Sequence, residues 1–232
     1  MEIVLLRHAQ PHWEPDGRAV DNPALTDFGH QQARCCAQAL ADQKFDAFYA
    51  SPLTRVQETA APIAERLGMQ PQVQNWLREI EMPTLEGQTT EEVQAFFKKA
   101  RARDIEHWWD GVEGGESFRH FYERVSSGIE GLLRTEHSVA IHEQQENRLW
   151  QVPEEGPRIL IVAHEGTNAA LMSHLLGIEP VPWAWLRFSS AWAGMTSLTS
   201  LHFPSGAVWA CHYFNRTRHL TELEPIHGGR SA

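Results

Sequence analysis

Two unbroken apolar runs constrain this chain more than any other feature. Ile3-Val4-Leu5-Leu6 and Ile159-Leu160-Ile161-Val162-Ala163 show no alternation of apolar and polar residues. A strand that is apolar toward both faces must be covered on both, as in a parallel sheet with helices above and below. Residues 46–50 read as a third short strand. Each strand is followed by a helical stretch: residues 28–42, the segment from Ser51-Pro52 to Leu67, and residues 166–176. Ser51 is placed as an N-cap with Pro52 at the first helical position. Gly68 and Gly177 are placed as helix stops. Further helices are expected over 90–103 and 116–134. Residues 70–90 read as irregular and the polar stretch 136–158 as a loop. Near the end, 197–203 and 208–214 flank the turn signal Pro204-Ser205-Gly206 and are expected to pair as a hairpin. Strands alternating with helices imply an α/β fold, a three-layer sandwich with a mainly parallel central sheet flanked by helices.

Three strand-to-loop junctions carry the chemistry. They are Arg7-His8-Ala9-Gln10, Ser51-Pro52 with Arg55 one turn into the helix, and His164-Glu165-Gly166-Thr167. Ligands of open parallel sheets bind outside the carboxyl ends of the strands, so topology places all three clusters on one edge. Two arginines and two histidines then meet in a chain of net charge −10. Such a gathering suits an oxyanion, helped by the N–H groups of the helix that starts near Gly166. The residue types match phosphoryl transfer. A neutral imidazole can attack phosphorus in line. Arginine forks fit phosphate oxygens and stay charged. A carboxylic acid must protonate the leaving alkoxide.

Composition bounds the alternatives. A chain of 232 residues with 42% hydrophobic and 22% charged residues can bury a sizeable core and needs no disulfide or metal staple. Its net negative charge disfavours nucleic acid and anionic membrane as partners. The three cysteines, Cys35, Cys36 and Cys211, offer neither a disulfide framework nor a metal knuckle, and the reading is idle thiols in a cytoplasmic protein. The run after Met1 is too short for a secretory signal core, and no stretch is long enough to span a bilayer. The 13 histidines are scattered without zinc spacing, so no metal is expected. His12, His107, His120, His142 and His174 read as surface or packing residues, Ser117 as an N-cap, and Arg119 and Arg124 as members of a solvated helix face.

The ordered set of motifs resembles the histidine phosphatase superfamily, which includes the cofactor-dependent phosphoglycerate mutases. Leu6-Arg7-His8-Ala9 is similar to its R-H-G signature, Leu25-Thr26-Asp27-Phe28-Gly29 to L-T-x-x-G, and Ser51-Pro52-Leu53-Thr54-Arg55 through Thr59-Ala60 to S-P-x-x-R-x-x-x-T-A. Leu77-Arg78-Glu79 with Glu86-Gly87 resembles its L-x-E and E-G pair, Gly114-Gly115-Glu116-Ser117 its G-G-E-S, and Val162-Ala163-His164 its V-x-H. The resemblance runs from residue 3 to about 200. It implies a phosphoglycerate mutase-like fold over 1–232 as one domain, with a helical insertion or cap around 88–135. It implies His8 as the phosphorylated nucleophile, Arg7 and Arg55 on the phosphoryl group, His164 as the second pocket histidine, and Glu79 as proton donor with Glu81 as its alternative. Gln10 is a further candidate for the phosphate pocket, in place of the family's asparagine. Ala9 stands where the family has glycine, and the longer mutase signature after it is absent.

The expected activity is therefore metal- and cofactor-independent hydrolysis of a small phosphorylated metabolite, by a chain that could form a homodimer. A mutase, and a pseudoenzyme that binds phospho-ligands without turnover, are the alternatives. Nine tryptophans are many for this length. Trp108, Trp109, Phe118, Phe121 and Tyr122, together with Trp183, Trp185, Phe188 and Trp192, are weighed as an apolar wall for the substrate against simple packing.

Overall fold

The computed structural model describes residues 1–144 and 147–223, without the side chains of Asn147, Ala184 and Trp185. Strands β1 (Glu2–Arg7), β2 (Ala47–Ala50), β3 (Gln72–Val73), β4 (Ala140–Gln144), β5 (Asn147–Gln151), β6 (Arg158–Ala163), β7 (Met195–Phe203) and β8 (Gly206–Arg216) form one sheet. Their order is β3-β2-β6-β1-β7-β8-β5-β4. The pairs β3–β2, β2–β6 and β6–β1 are parallel. From β1 outward through β7, β8, β5 and β4 the pairing is antiparallel. The expected parallel sheet is thus present as one half of a mixed sheet.

Helices α1 (Asp27–Leu40), α2 (Thr54–Leu67), α3 (Thr90–Arg101), α4 (Phe118–His137), α5 (Glu165–Leu175) and the short α6 (Ala184–Arg187) complete the elements that matter here. The two-residue period of the strands divides their apolar side chains between two cores. Ile3 and Leu5 of β1 and Ile159 and Ile161 of β6 pack with Phe121, Val125 and Ile129 of α4 and Leu171 and Leu175 of α5. Val4, Leu6, Leu160 and Val162 point the other way, onto Ala33, Cys36 and Leu40 of α1 and Val56, Ala60 and Ile63 of α2. This is why the runs had to be apolar throughout.

The helix ends follow ordinary chemistry. The Thr26 hydroxyl accepts from the Gly29 N–H at 2.9 Å, and Ser117 caps α4 by accepting from the His120 N–H. Gly68 ends α2 in the left-handed conformation at φ 64°. Ser51 does not cap α2, which begins after Leu53; its hydroxyl is committed elsewhere, as described below. Residues 136–158 are not a loop, because β4 and β5 form a hairpin there. Their polarity has a simple cause. The hairpin lies at the sheet edge, and among its described side chains only Leu149 and Trp150 are buried.

The stretch expected as a cap divides in two. Helix α3 buries no residue, whereas α4 buries seven and supplies a layer of the core. A parallel register aligns the strand ends that matter. Arg7 pairs with Ala163 and Ala50 with Val162, so residues 8, 51 and 164 leave the sheet side by side.

Candidate active site

His8 follows β1 and is 3% exposed. Its Nδ1 lies 2.8 Å from the Ala9 carbonyl oxygen. A carbonyl can only accept, so Nδ1 carries the proton and Nε2 presents its lone pair. Burial, with Arg55 and Arg7 nearby, holds the His8 pKa well below the ordinary imidazole value, so the ring is neutral at neutral pH. The loop is anchored from below. The Ala9 N–H donates to Thr59 Oγ1 at 3.0 Å, and the Thr59 hydroxyl donates to the Arg55 carbonyl at 2.6 Å.

His164 directly follows β6 and is fully buried. Its ring meets His8 edge-on, with centroids 5.2 Å apart and planes at 62°. Nε2 is 2.8 Å from the Ser51 hydroxyl, while Nδ1 has no hydrogen-bond partner among the described residues. Burial and the neighbouring Arg55 also keep this imidazole neutral.

Arg55, 3% exposed, stacks under the Trp13 indole at 4.9 Å. Its Nε and Nη1 are buried without partners among the described residues. Burial lowers its pKa to about 10, so it remains a cation. Arg7 donates from Nη1 to the Ser190 carbonyl and pairs with Glu165 Oε2 at 3.0 Å, and its Nε has no partner among the described residues. The Trp192 ring lies 5.9 Å from its guanidinium carbon. Unpaired buried guanidinium N–H groups are costly unless a ligand satisfies them. Two such arginines and the free Nδ1 of His164 fit a tetrahedral oxyanion.

Glu79 lies in the stretch after β3. Its carboxylate accepts from the N–H groups of Gly166 (2.9 Å) and Thr167 (3.1 Å) and from the Thr167 hydroxyl (3.3 Å). It therefore sits over the first turn of α5, within the influence of Arg55 and Arg7. Burial raises its pKa against the opposing pull of those N–H groups and arginines, which favours the protonated acid. Glu81 is exposed and pairs with Arg78 at 2.9 Å, away from this network. Gln10 has its amide oxygen on the Thr26 hydroxyl at 2.8 Å and its backbone N–H on Gln32 at 2.9 Å, so its contacts within the chain brace the start of α1.

Arg124 is not on a solvated face. It donates to the carbonyls of Trp76, Arg78 and Glu79 and pairs with Glu116 at 2.7 Å, so it pins the backbone that carries Glu79. His174 is likewise bound internally, to Glu130 at 2.8 Å. The aromatic residues split. Phe118 and Phe121 are buried core residues and Trp109 packs edge-on against Phe118. Trp108 meets Trp183 at 6.2 Å, Phe188 meets Phe214, and Tyr122 reaches His174. Among the described side chains of this group, Trp192 is the one that lies over a pocket arginine; the Trp185 side chain lies outside the described residues. Sequence reasoning missed Ser51, Thr59, Thr167, Glu165 and Trp13 as site residues. Their signal was adjacency to a motif, which does not say where a side chain turns.

No described helix is long and apolar enough to cross a membrane. Among the described residues there is no group of three His, Cys, Asp or Glu side chains placed to hold a metal ion.

The sequence profile of the histidine phosphatase superfamily (branch 1) matches residues 3–217. Phosphoserine phosphatase 1 of Hydrogenobacter thermophilus is 28% identical, over 77% of this chain and 78% of its own. Glucosyl-3-phosphoglycerate phosphatase of Mycolicibacterium vanbaalenii is 30% identical, over 78% and 76% respectively. A mycobacterial glucosyl-3-phosphoglycerate phosphatase solved with VO3 superposes with a TM-score of 0.71 at 25% identity, covering 93% of this chain and 99% of that one. The profile takes in every strand from β1 to β8, and with them all the side chains gathered at the edge of the parallel half-sheet; the chain belongs to the histidine phosphatase superfamily.

Proposed function

We propose that the protein is a phosphatase that hydrolyses a phosphomonoester of a small metabolite through a phosphohistidine on His8. One observation carries the reading: the neutral His8 ring presents an unprotonated Nε2 beside two buried arginines, and Nε of Arg7 and Nε and Nη1 of Arg55 lack partners among the described residues. The named relatives, phosphatases for phosphoserine and for glucosyl-3-phosphoglycerate, support the substrate class. The three free thiols agree with a reducing, cytoplasmic setting.

In the first half-reaction His8 Nε2 forms a bond to phosphorus as the bond to the ester oxygen breaks. Arg7, Arg55 and His164 hold the equatorial oxygens and spread their charge. The leaving oxygen takes the proton of Glu79. In the second half-reaction the Glu79 carboxylate takes a proton from water, the water oxygen bonds to phosphorus, and the P–N bond breaks. Phosphate leaves and His8 is neutral again. Gln10 is a candidate for one further contact through its amide nitrogen. The bridge between Arg18 and Thr89 and the Thr90 hydroxyl donating to Glu14 at 2.5 Å tie the start of α3 to the loop after β1. These contacts support α3 as the part of the expected cap that covers the site.

The test is release of inorganic phosphate across a panel of phosphorylated metabolites, with His8→Ala as control. Acid-labile phosphate should be trapped on the wild-type chain and be absent from the variant. Unchanged turnover in His8→Ala would refute the mechanism, and phosphoryl transfer without release of phosphate would make the protein a mutase.

A further inference from the structure

Glu165 has no part in the chemistry set out above, yet both of its oxygens are engaged at the rim of the site. Oε2 lies 3.0 Å from Arg7 Nη1. Oε1 accepts from the Ser189 hydroxyl at 2.9 Å and from the Ser190 N–H at 3.1 Å. The same Arg7 Nη1 donates to the Ser190 carbonyl. Arg7, Glu165 and the 189–190 turn therefore form a closed ring of contacts.

The turn is the start of a strap that runs under the nucleophile. The Trp192 ring lies against Arg7. The Ala193 N–H donates to the His8 carbonyl at 3.1 Å, and the Arg7 N–H donates to the Gly194 carbonyl at 3.1 Å. Ala193 holds φ 58°, a left-handed conformation that disfavours any residue with a Cβ and persists only when its surroundings enforce it. Glu165 is the only acidic side chain among the described residues that contacts this strap through hydrogen bonds, and it comes from the first turn of α5.

We infer that Glu165 is a positioning residue: it occupies Arg7 Nη1, fixes the guanidinium against the 189–194 strap, and so turns the unpaired Nε edge of Arg7 toward the phosphoryl group. The inference rests on Arg7 holding phosphate, as proposed above. Geometry supports the assignment of edges, since Nη1 already has two partners and Nε has none among the described residues. Electrostatics act in the same direction. Burial works against the charge on Arg7, and Glu165 is the largest influence that sustains it. A guanidinium held this way loses little orientation freedom when the transition state forms, so its benefit falls on kcat more than on KM.

A double-mutant cycle tests this, using p-nitrophenyl phosphate as substrate and inorganic phosphate as a competitive probe. Glu165→Gln should lower kcat/KM about tenfold, mostly through kcat, because an amide cannot both pair with Arg7 and accept from the turn. In an Arg7→Lys background the same change should cost less than about twofold, since the group it acts through is gone. Glu165→Asp keeps the charge and should recover part of the loss. Equal losses from Glu165→Gln in both backgrounds would overturn the inference, as would wild-type kinetics in Glu165→Gln or no difference between Asp and Gln. A wild-type chain that releases no phosphate from any ester would instead defeat the proposed function, and this inference with it.

Discussion

His8 and His164 lie in contact, are both buried, and are both held neutral, yet their ring partners give them different work. The His8 proton is taken by a backbone carbonyl, which leaves Nε2 bare. The corresponding nitrogen of His164 is engaged by a hydroxyl that can donate or accept. The two rings are thus distinguished by hydrogen bonding rather than by residue type. These two rings, with Arg7 and Arg55, were legible in the sequence because reactive types cluster at strand ends, whereas Glu79 was legible only through the resemblance of Leu77-Arg78-Glu79 to the family's L-x-E. Arg124 was not. Nothing in a helical sequence says that an arginine will reach three carbonyls of a stretch some 45 residues away. Glu79 gives the sharpest residue-level expectation. Glu79→Gln should slow hydrolysis of alkyl phosphates by about a hundredfold or more, and that of aryl phosphates far less, because a phenolate leaves without a proton. Equal losses for the two substrate classes, measured as kcat/KM, would remove Glu79 as the acid.

At the level of elements, two glycines show how closely helix starts approach the reacting loops. A Cβ on Gly29, in the first turn of α1, would come within 2.2 Å of the Gln10 carbonyl oxygen, which is backbone and itself accepts from the Thr26 N–H. A Cβ on Gly166, in the first turn of α5, would come within 2.6 Å of Glu79 Oε1, the far end of a side chain rather than backbone. The obstacles differ in kind, so the outcomes should differ. Gly29→Ala should destabilise the fold by about 1–3 kcal/mol through forced backbone shifts. Gly166→Ala should unfold at nearly the wild-type temperature but lose activity on poor leaving groups, because the carboxylate swings away. Thermal melts paired with kinetics on both variants check this, and a large loss of stability in Gly166→Ala would contradict it. The same comparison shows what periodicity conveys. Helices with glycine stops and apolar faces could be placed to within two or three residues. The hairpin of β4 and β5 was invisible, because an edge hairpin with one buried pair looks like any polar loop.

On the scale of the whole molecule, the apolar runs dictated two cores and hence helices on both faces of the sheet. The turn signal at Pro204-Ser205-Gly206 did announce the β7–β8 hairpin, but the order of the strands and the joining of β7 to β1 and of β8 to β5 depended on long-range pairing that no local pattern encodes. One consequence of the buried site reaches the stability of the entire chain. His8, His137, His164, His174 and His219 all have folded-state pKa values below the ordinary imidazole value, each chiefly from burial. An unfolded chain takes up protons on these rings near pH 6.5 while the folded chain does not. Between the lowered and the ordinary values the unfolded state binds more protons, so stability rises with pH and is lost as pH falls below about 6.5. Glu79, with a raised folded-state pKa, acts in the opposite sense, but it is one group against five. For the fully buried His8 and His164 the limiting slope is about 1.4 kcal/mol per pH unit each. For a chain of this size that corresponds to a fall in Tm of several degrees, roughly 5 °C or more, between pH 7 and pH 5.5. Replacing His8 and His164 together by glutamine removes two of the titrating rings and should flatten the dependence. A Tm that stays constant from pH 7 to 5.5 in the wild-type chain, or an equally steep fall in the double variant, would show that the buried site does not couple to folding in this way.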